Sequence, residues 1–214
     1  MNQQKNKIKL IAIITMCFIL GMISFVTNMA APFGTIWGHK YEWAGMMGNM
    51  MVFAAYLFMG IPAGKMLVKI GYKKTVLAAL IIGIIGLGTQ YLSSIVGANI
   101  QVSTYANQPI ALNLIIYLLG AFICGFCVCM LNTAANPMLN TLGSGGNRGN
   151  QLIQIGGTLS SLVATLTPFF VGLLVGTVSA PTTMRDVTPL LFIGIAVFII
   201  SFLVILRVEI PEPH

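Results

Sequence analysis

The chain has 214 residues, of which 57% are hydrophobic and only 7% are charged, and its mean hydropathy is +0.92. Eleven lysines and arginines against four acidic residues give a formal net charge of +7. This composition excludes an ordinary soluble domain and is typical of a protein that spans a lipid bilayer.

Six apolar stretches are long enough to be membrane spans. A spanning helix needs about 20 mainly apolar residues, because the hydrocarbon layer is about 30 Å thick and a helix rises about 1.5 Å per residue. We therefore predict an all-α membrane protein with a tail at 1–9, a transmembrane domain at 10–208 and a linker or tail at 209–214. The predicted spans lie near 10–30, 43–67, 75–96, 111–138, 151–175 and 189–206.

The first stretch has the basic start and apolar middle of a secretory signal peptide. Its apolar run is long and five more follow, so a retained first helix is the simpler interpretation. The polar, glycine-rich stretch at 143–150 predicts the turn that joins the fourth and fifth spans, with Asn140 and Gly143 ending the fourth.

Lysine and arginine fall mainly on one side of the predicted spans, which sets the orientation. With the N-terminus in the cytoplasm, Lys40 and Arg185 are the only lysine or arginine residues predicted to lie outside. The nine basic residues inside are Lys5, Lys7, Lys9, Lys65, Lys69, Lys73, Lys74, Arg148 and Arg207. We expect a multi-pass protein of the plasma membrane, or of the inner membrane in a bacterium, with both termini cytoplasmic. Topology then explains the positive charge, and no basic stripe interleaved with aromatic residues predicts a nucleic-acid partner.

The sequence predicts no enzyme, metal site or cofactor. It contains no phosphate loop, no nucleophile paired with a base and no paired carboxylates. The two histidines, His39 and His214, lie near a membrane edge and at the terminus, so the cysteines lack the additional ligands that a metal site needs. We expect free thiols at Cys17, Cys124, Cys127 and Cys129.

No acidic residue lies within a predicted span. Glu42 and Asp186 precede the second and sixth spans, and Glu209 and Glu212 lie in the predicted tail. Ionisable groups inside a membrane are costly and usually functional, so their absence predicts that these six spans have no proton carrier of their own.

Amide side chains are the main polar groups inside the spans. Asn132 and Asn136 lie one helical turn apart, and Gln151 and Gln154 also share one helix face. An amide both donates and accepts hydrogen bonds, which suits the hydroxyl groups of a sugar. Hydrogen bonding between helices is the alternative role. The candidate solute-binding residues are Asn28, Asn132, Asn136, Gln151 and Gln154.

The stretch GIPAGKMLVKIGYKK, at 60–74, combines glycine and lysine in an order that predicts a gating loop. Its glycines permit a tight turn and close helix contact, and its lysines can meet helix C-termini at the inner membrane surface. The order resembles the cytoplasmic loop signature of the major facilitator superfamily, although any membrane protein can carry a basic inner loop. The residues of the motif are Gly60, Gly64, Lys65, Lys69, Gly71, Lys73 and Lys74.

Two further stretches resemble one branch of that superfamily, the fucose/galactose/glucose symporters. TAANPMLNTLG followed by QLIQIGGTLSSL is similar to the fourth and fifth spans of the branch, and FVTNMAAP is similar to the end of its first span. The resemblance covers essentially the whole chain but only six of the family's twelve spans. It implies an N-terminal half built from two inverted three-helix repeats.

The chain departs from the branch at positions associated with proton coupling. Ala30 or Ala31 stands where the branch has a membrane aspartate, and Asn132 stands where it has a glutamate. Gly157 replaces an asparagine that follows the glutamine matched by Gln154. The resemblance therefore implies sugar binding. Proton symport is in doubt, because the chain lacks the carboxylates associated with proton coupling in the branch.

We predict transport of a monosaccharide or similar small polar solute by alternating access. The sequence reaches EIPEPH where the family has its central linker, so we expect a second six-helix half in the same chain, or a second copy, as partner. The alternatives are a homodimeric half-transporter and a non-transporting six-helix membrane protein that serves assembly, regulation or sensing.

Overall fold

The computed structural model describes residues 2–208 and 210, with side chains from residue 6 onward. The predicted linker at 209–214 lies outside the described residues except for Ile210, as do Glu209, Glu212 and His214. In chain order the elements are α1 (Asn2–Asn28), α2 (Ala30–Lys40), a 3-10 helix (Glu42–Ala44), α3 (Met47–Ile95), β1 (Gln101–Tyr105), β2 (Gln108–Ala111), α4 (Leu112–Leu142), α5 (Gly146–Val175) and α6 (Thr188–Arg207).

The described chain forms a predominantly helical membrane protein. Within it, five continuous helical stretches are long and apolar enough to cross a bilayer, with α1 and α2 counted together. The predicted fourth, fifth and sixth spans correspond to α4, α5 and α6. The second and third predicted spans both lie in α3.

The first helical stretch is longer than its apolar part. Helix α1 already begins at Asn2, inside the predicted tail, and the chain beyond the predicted end of the span is also helical, as α2. Only Met29 separates the two helices. Pro32 has no N–H to donate to the carbonyl of Asn28, four residues earlier, so the backbone ladder is interrupted at this point.

Helix α3 is too long for one crossing and is broken at Gly71. A straight helix of its 49 residues would be about 70 Å long, more than twice the hydrocarbon thickness. Gly71 has φ 84° and ψ 173°, which is not helical. The predicted loop before residue 75 is therefore wrong in extent, because the chain is helical up to Gly71 and again directly after it.

The segment at 47–70 runs alongside α4 in the same direction. Gly48 lies against Tyr117 near the start of α4. Further along both helices, Gly125 packs against the backbone of Val52, and the Tyr56 hydroxyl meets Asn132.

The segment at 72–95 runs along α4 in the opposite direction. A Cβ atom on Gly120 would lie 2.8 Å from the backbone nitrogen of Gln90. Further along α4, Cys124 packs against Gly86 and Cys127 packs against Gly83. The two segments of α3 are therefore antiparallel, and both pack on α4.

A β-hairpin, which the sequence pattern did not predict, connects α3 to α4. Strands β1 and β2 pair in antiparallel register around Ala106 and Asn107, both of which have positive φ, as a type I′ turn requires. The Tyr41 hydroxyl donates to the carbonyl of Pro109 over 3.1 Å and accepts from the N–H of Ala111 over 3.2 Å. These bonds attach the hairpin to the C-terminal end of α2.

The turn between α4 and α5 is shorter than predicted. Helix α4 ends at Leu142, where the N–H of Gly143 donates to the Leu139 carbonyl and the N–H of Ser144 to the Thr141 carbonyl, which confirms the predicted helix end. Residues 146–150 belong to α5, so the predicted turn is wrong over that part. The turn is completed at Ser144 and Gly145, which both have positive φ.

The bundle has two chemically different ends. The terminal end contains the start of α1, the Gly71 break and the end of α6, and Lys9 Nζ donates to Ser144 Oγ there over 3.3 Å. The hairpin end contains the hairpin and an aromatic cluster in which the Trp37 and Tyr117 ring centroids are 5.5 Å apart. Aromatic side chains are enriched at membrane interfaces, so this cluster fits one edge of a bilayer.

Candidate solute site

One polar contact joins α3 to α4 near the middle of the bundle. The Asn132 Nδ2 group donates a hydrogen bond of 2.8 Å to the Tyr56 hydroxyl, and both side chains are half-buried. Tyr56 lies near the middle of the segment at 47–70, and Asn132 lies about 8 Å along the axis from the middle of α4. The pair is therefore remote from both ends of the bundle.

Asn136 extends this polar face by one helical turn. Its Nδ2 group donates to the backbone oxygen of Asn132 over 3.3 Å. Within the described chain, neither asparagine side-chain oxygen accepts a hydrogen bond, and the Tyr56 hydroxyl does not donate one. Two acceptors and one donor thus remain available to a ligand on a partly open surface.

Gln151 and Gln154 lie on a different surface. Both are exposed on α5, where they line a shallow groove of about 540 Å³ together with Ile155 and Thr158. Gln154 lies within about 12 Å of the start of its helix, at the terminal end. The predicted common face of the two glutamines is present, but the groove does not include Asn132 or Asn136.

Asn28 is the last residue of α1, directly before Met29, which separates α1 from α2. Its Nδ2 group donates to the carbonyl of Ser24 over 2.8 Å, one turn earlier in its own helix. Among the described contacts, none joins Asn28 or the glutamines to Asn132. The structure therefore groups two of the five predicted residues with a tyrosine and places the other three elsewhere.

Two polar residues inside the bundle were absent from the predicted set. Tyr56 was missed because its partner is 76 positions away in the chain, although a buried tyrosine hydroxyl normally needs a partner. Gln90 is an amide within the third predicted span, so a complete count of amides in the spans would have found it. It is 6% exposed, and its Nε2 group donates weakly to Cys124 Sγ over 3.7 Å.

Gln90 also lines a small buried cavity near Tyr117. The cavity has a volume of about 20 Å³, and Gln90 Oε1 has no hydrogen-bond partner among the described residues. A space of this size is large enough for one water molecule, which would satisfy the amide oxygen.

The glycines of the predicted gating loop have different environments. A Cβ atom added to Gly60 or Gly64 would meet nothing within 4 Å, so close packing inside this chain does not explain either residue. Gly71 has the positive φ that an L-residue rarely adopts. The predicted tight turn is therefore located at Gly71 alone.

Among the lysines of the loop, Lys73 has the contact that the motif predicted. Its Nζ group donates to the carbonyls of Leu206 and Val208, each over 2.9 Å, at the C-terminal end of α6. These carbonyls lack partners within the helix and carry the negative end of its dipole. Lys73 therefore joins the break in α3 to the end of α6, whereas Lys65, Lys69 and Lys74 are exposed.

Replacing Lys73 by methionine is expected to lower the free energy of unfolding by about 1–2 kcal/mol, because two carbonyls at the end of α6 lose a charged donor. Thermal unfolding of the purified protein in detergent measures this change. Lys74→Met is the matched control and should stay within about 0.5 kcal/mol of the parent. Equal losses in both variants would contradict a specific role for Lys73.

Comparison with protein-family models, curated proteins and solved structures gave no match to this chain. The resemblance to the major facilitator superfamily therefore rests on the residues of its motifs. Membership of that family is a proposal.

Proposed function

We propose that the chain is a six-span half of a transporter of the major facilitator type, which moves a monosaccharide or similar small polar solute by alternating access. The observation that carries the proposal is the pair of Tyr56 and Asn132, bonded at mid-depth with amide oxygens left open beside it. In such transporters the solute binds near the bilayer midplane, between two halves that move around it.

The proposal counts α3 as two crossings, one on each side of Gly71. Its antiparallel segments are each about the length of a membrane span, and together with α1, α4, α5 and α6 they make six crossings. The excess of lysine and arginine at the terminal end supports a cytoplasmic position for that end. Lys40 and Arg185, at the hairpin end, then face the opposite side.

The polar pair suits a hydroxylated, uncharged solute. The asparagine oxygens accept hydrogen bonds from sugar hydroxyls, and the Tyr56 hydroxyl donates one. No carboxylate lies within the described membrane helices, since Glu42 and Asp186 are both at the hairpin end. The proposal is therefore facilitated transport, or coupling through groups contributed by a second half.

The bond between Lys73 and α6 supports a gating role for the Gly71 region. A cation that caps a helix end in one conformation is released when the helices separate, so the contact stabilises one state of the alternating cycle. A second six-helix half, in the same chain or a second copy, would provide the other wall of the solute path.

Monosaccharide uptake by cells expressing the native product tests the proposal. Asn132→Ala and Asn136→Ala should each raise the KM for the transported sugar about tenfold, because each removes hydrogen bonds to the solute. The amount of protein in the membrane, measured by immunoblot, should be unchanged. Thr133→Ala is the matched control, since its hydroxyl bonds within α4 to Cys129 and should not contact solute.

Uptake with an unchanged KM in both asparagine variants would remove this pair from the solute path. A complete absence of uptake of any monosaccharide by the parent protein would contradict the proposed substrate class.

A further inference from the structure

A second polar cavity, of about 380 Å³, lies at the hairpin end between α2, the end of α3, the start of α4 and the loop before α6. We call it the hairpin-end cavity. Its lining includes Trp37, Lys40, Ser93, Asn113 and Arg185. None of these residues belongs to the proposed solute site, so the two sites can be tested independently.

The charged part of this lining is entirely basic. Lys40 and Arg185 line the cavity, and no carboxylate of the described residues does. Within the described chain, neither Lys40 nor Arg185 forms an ion pair. Two permanent cations that share a cavity without a counter-ion create a site that attracts an anion.

The nearest acidic residue along the loop is already engaged. The Asp186 carboxylate accepts hydrogen bonds from the N–H and hydroxyl of Thr183, over 2.7 and 2.8 Å. Both bonds lower the pKa of Asp186 and favour its ionised form, and the carboxylate oxygen that accepts them faces Thr183. It does not line the cavity, and it therefore leaves Arg185 available.

Lys40 is held at the cavity by aromatic rings. Its Nζ group lies 5.7 Å from the ring centroid of Trp37 and 5.5 Å from that of Tyr41. A cation at this distance from an aromatic face is attracted by the ring, which restricts the lysine before a ligand arrives.

The buried side of the cavity is polar but uncharged. Asn113 is 8% exposed, and its Oδ1 atom has no hydrogen-bond partner among the described residues. The hydroxyls of Ser93 and Ser94 donate to carbonyls of their own helix, which leaves their oxygens as acceptors. A hydroxylated ligand would give these groups partners, and an orphaned buried amide otherwise costs free energy.

We propose that the hairpin-end cavity binds a small hydroxylated organic anion of about monosaccharide size, such as a sugar acid. Its carboxylate pairs with Lys40 and Arg185, and its hydroxyls bond to Asn113 and the two serines. Small-molecule sites commonly have volumes of about 300–1,000 Å³, and a hexuronate fits within this cavity.

The fluorescence of Trp37 reports binding directly. The chain has two tryptophans, so Trp43→Phe leaves Trp37 as its only tryptophan. In phosphatidylcholine nanodiscs at fixed ionic strength, glucuronate should change this emission saturably, because it contacts the lysine that lies over the indole ring. Glucose at the same concentration should not.

Variants of this reporter protein locate the site. Lys40→Gln with Arg185→Gln, and separately Asn113→Ala, should each weaken glucuronate binding at least about tenfold. Arg148→Gln is the matched control, because it removes an exposed cation at the terminal end and should leave binding unchanged. A folded double variant that binds as tightly as the reporter protein would overturn the proposal.

Repeating the titration in phosphatidylglycerol nanodiscs separates a soluble anion from a lipid headgroup. If the site takes a soluble anion, glucuronate still saturates the signal in both lipids. If the Trp37 emission instead differs between the two lipids and does not respond to glucuronate in either, the cavity takes the anionic headgroup of phosphatidylglycerol and the assignment is wrong. An equal response to glucose would also overturn it.

Discussion

Replacing Gly71 by alanine is expected to lower the free energy of unfolding by about 1–3 kcal/mol. The backbone at this position, with φ 84° and ψ 173°, lies in a region that is essentially restricted to glycine, since a Cβ atom clashes there with the backbone. The substitution must either strain this conformation or extend the helix through it. The second outcome would disrupt the antiparallel packing of both α3 segments on α4.

The loss of stability can be measured through the cysteines. All four are free and buried, so a thiol-reactive fluorescent dye reports unfolding as they become accessible on heating. Gly64→Ala is the matched control, because Gly64 is helical and a Cβ atom there would meet nothing within 4 Å. We expect it to be neutral or slightly stabilising. A midpoint for Gly71→Ala that equals that of Gly64→Ala would show that the break does not depend on glycine.

Hydropathy predicted the apolar part of each helix but not the residues at which the helices begin and end. The reason is physical. Apolar length marks the hydrocarbon layer, whereas a helix continues as long as its backbone hydrogen bonds persist in water. Helix α1 therefore begins at Asn2 and α5 begins at Gly146, both in polar sequence. The hairpin was missed because its turn residues, Ala106 and Asn107, are not the usual Asn-Gly pair.

The candidate site was predictable only in its local part. Helical spacing correctly places Asn132 and Asn136 on one face, because residues four apart are neighbours on a helix. The contact with Tyr56 could not be predicted in this way. It depends on how α3 is aligned along α4, and that alignment is set by side-chain packing over the whole interface. The sequence predicted that a lysine of this loop would contact a helix C-terminus. It did not identify Lys73 as that lysine, because this depends on where the Gly71 break lies.

The interface between the segment at 72–95 and α4 depends on glycine, and Gly86→Ala is expected to destabilise it strongly. A Cβ atom on Gly86 would lie 2.8 Å from the backbone nitrogen and 3.2 Å from the Cα of Cys124. On the facing helix, a Cβ atom on Gly120 would lie 2.9 Å from the Gly86 carbonyl oxygen. Since backbone cannot rotate away as a side chain does, the helices would have to separate, at a cost of about 1–3 kcal/mol.

Gly88→Ala provides a control on the same helix, because a Cβ atom there would meet nothing within 4 Å. Both variants gain the helix propensity of alanine, worth about 1 kcal/mol, so the difference between their unfolding midpoints isolates the steric effect. We expect Gly86→Ala to unfold at the lower temperature and its Cys124 thiol to react faster with the dye before unfolding. If the two variants had the same midpoint and the same thiol reactivity, direct backbone contact between the segment at 72–95 and α4 would be contradicted.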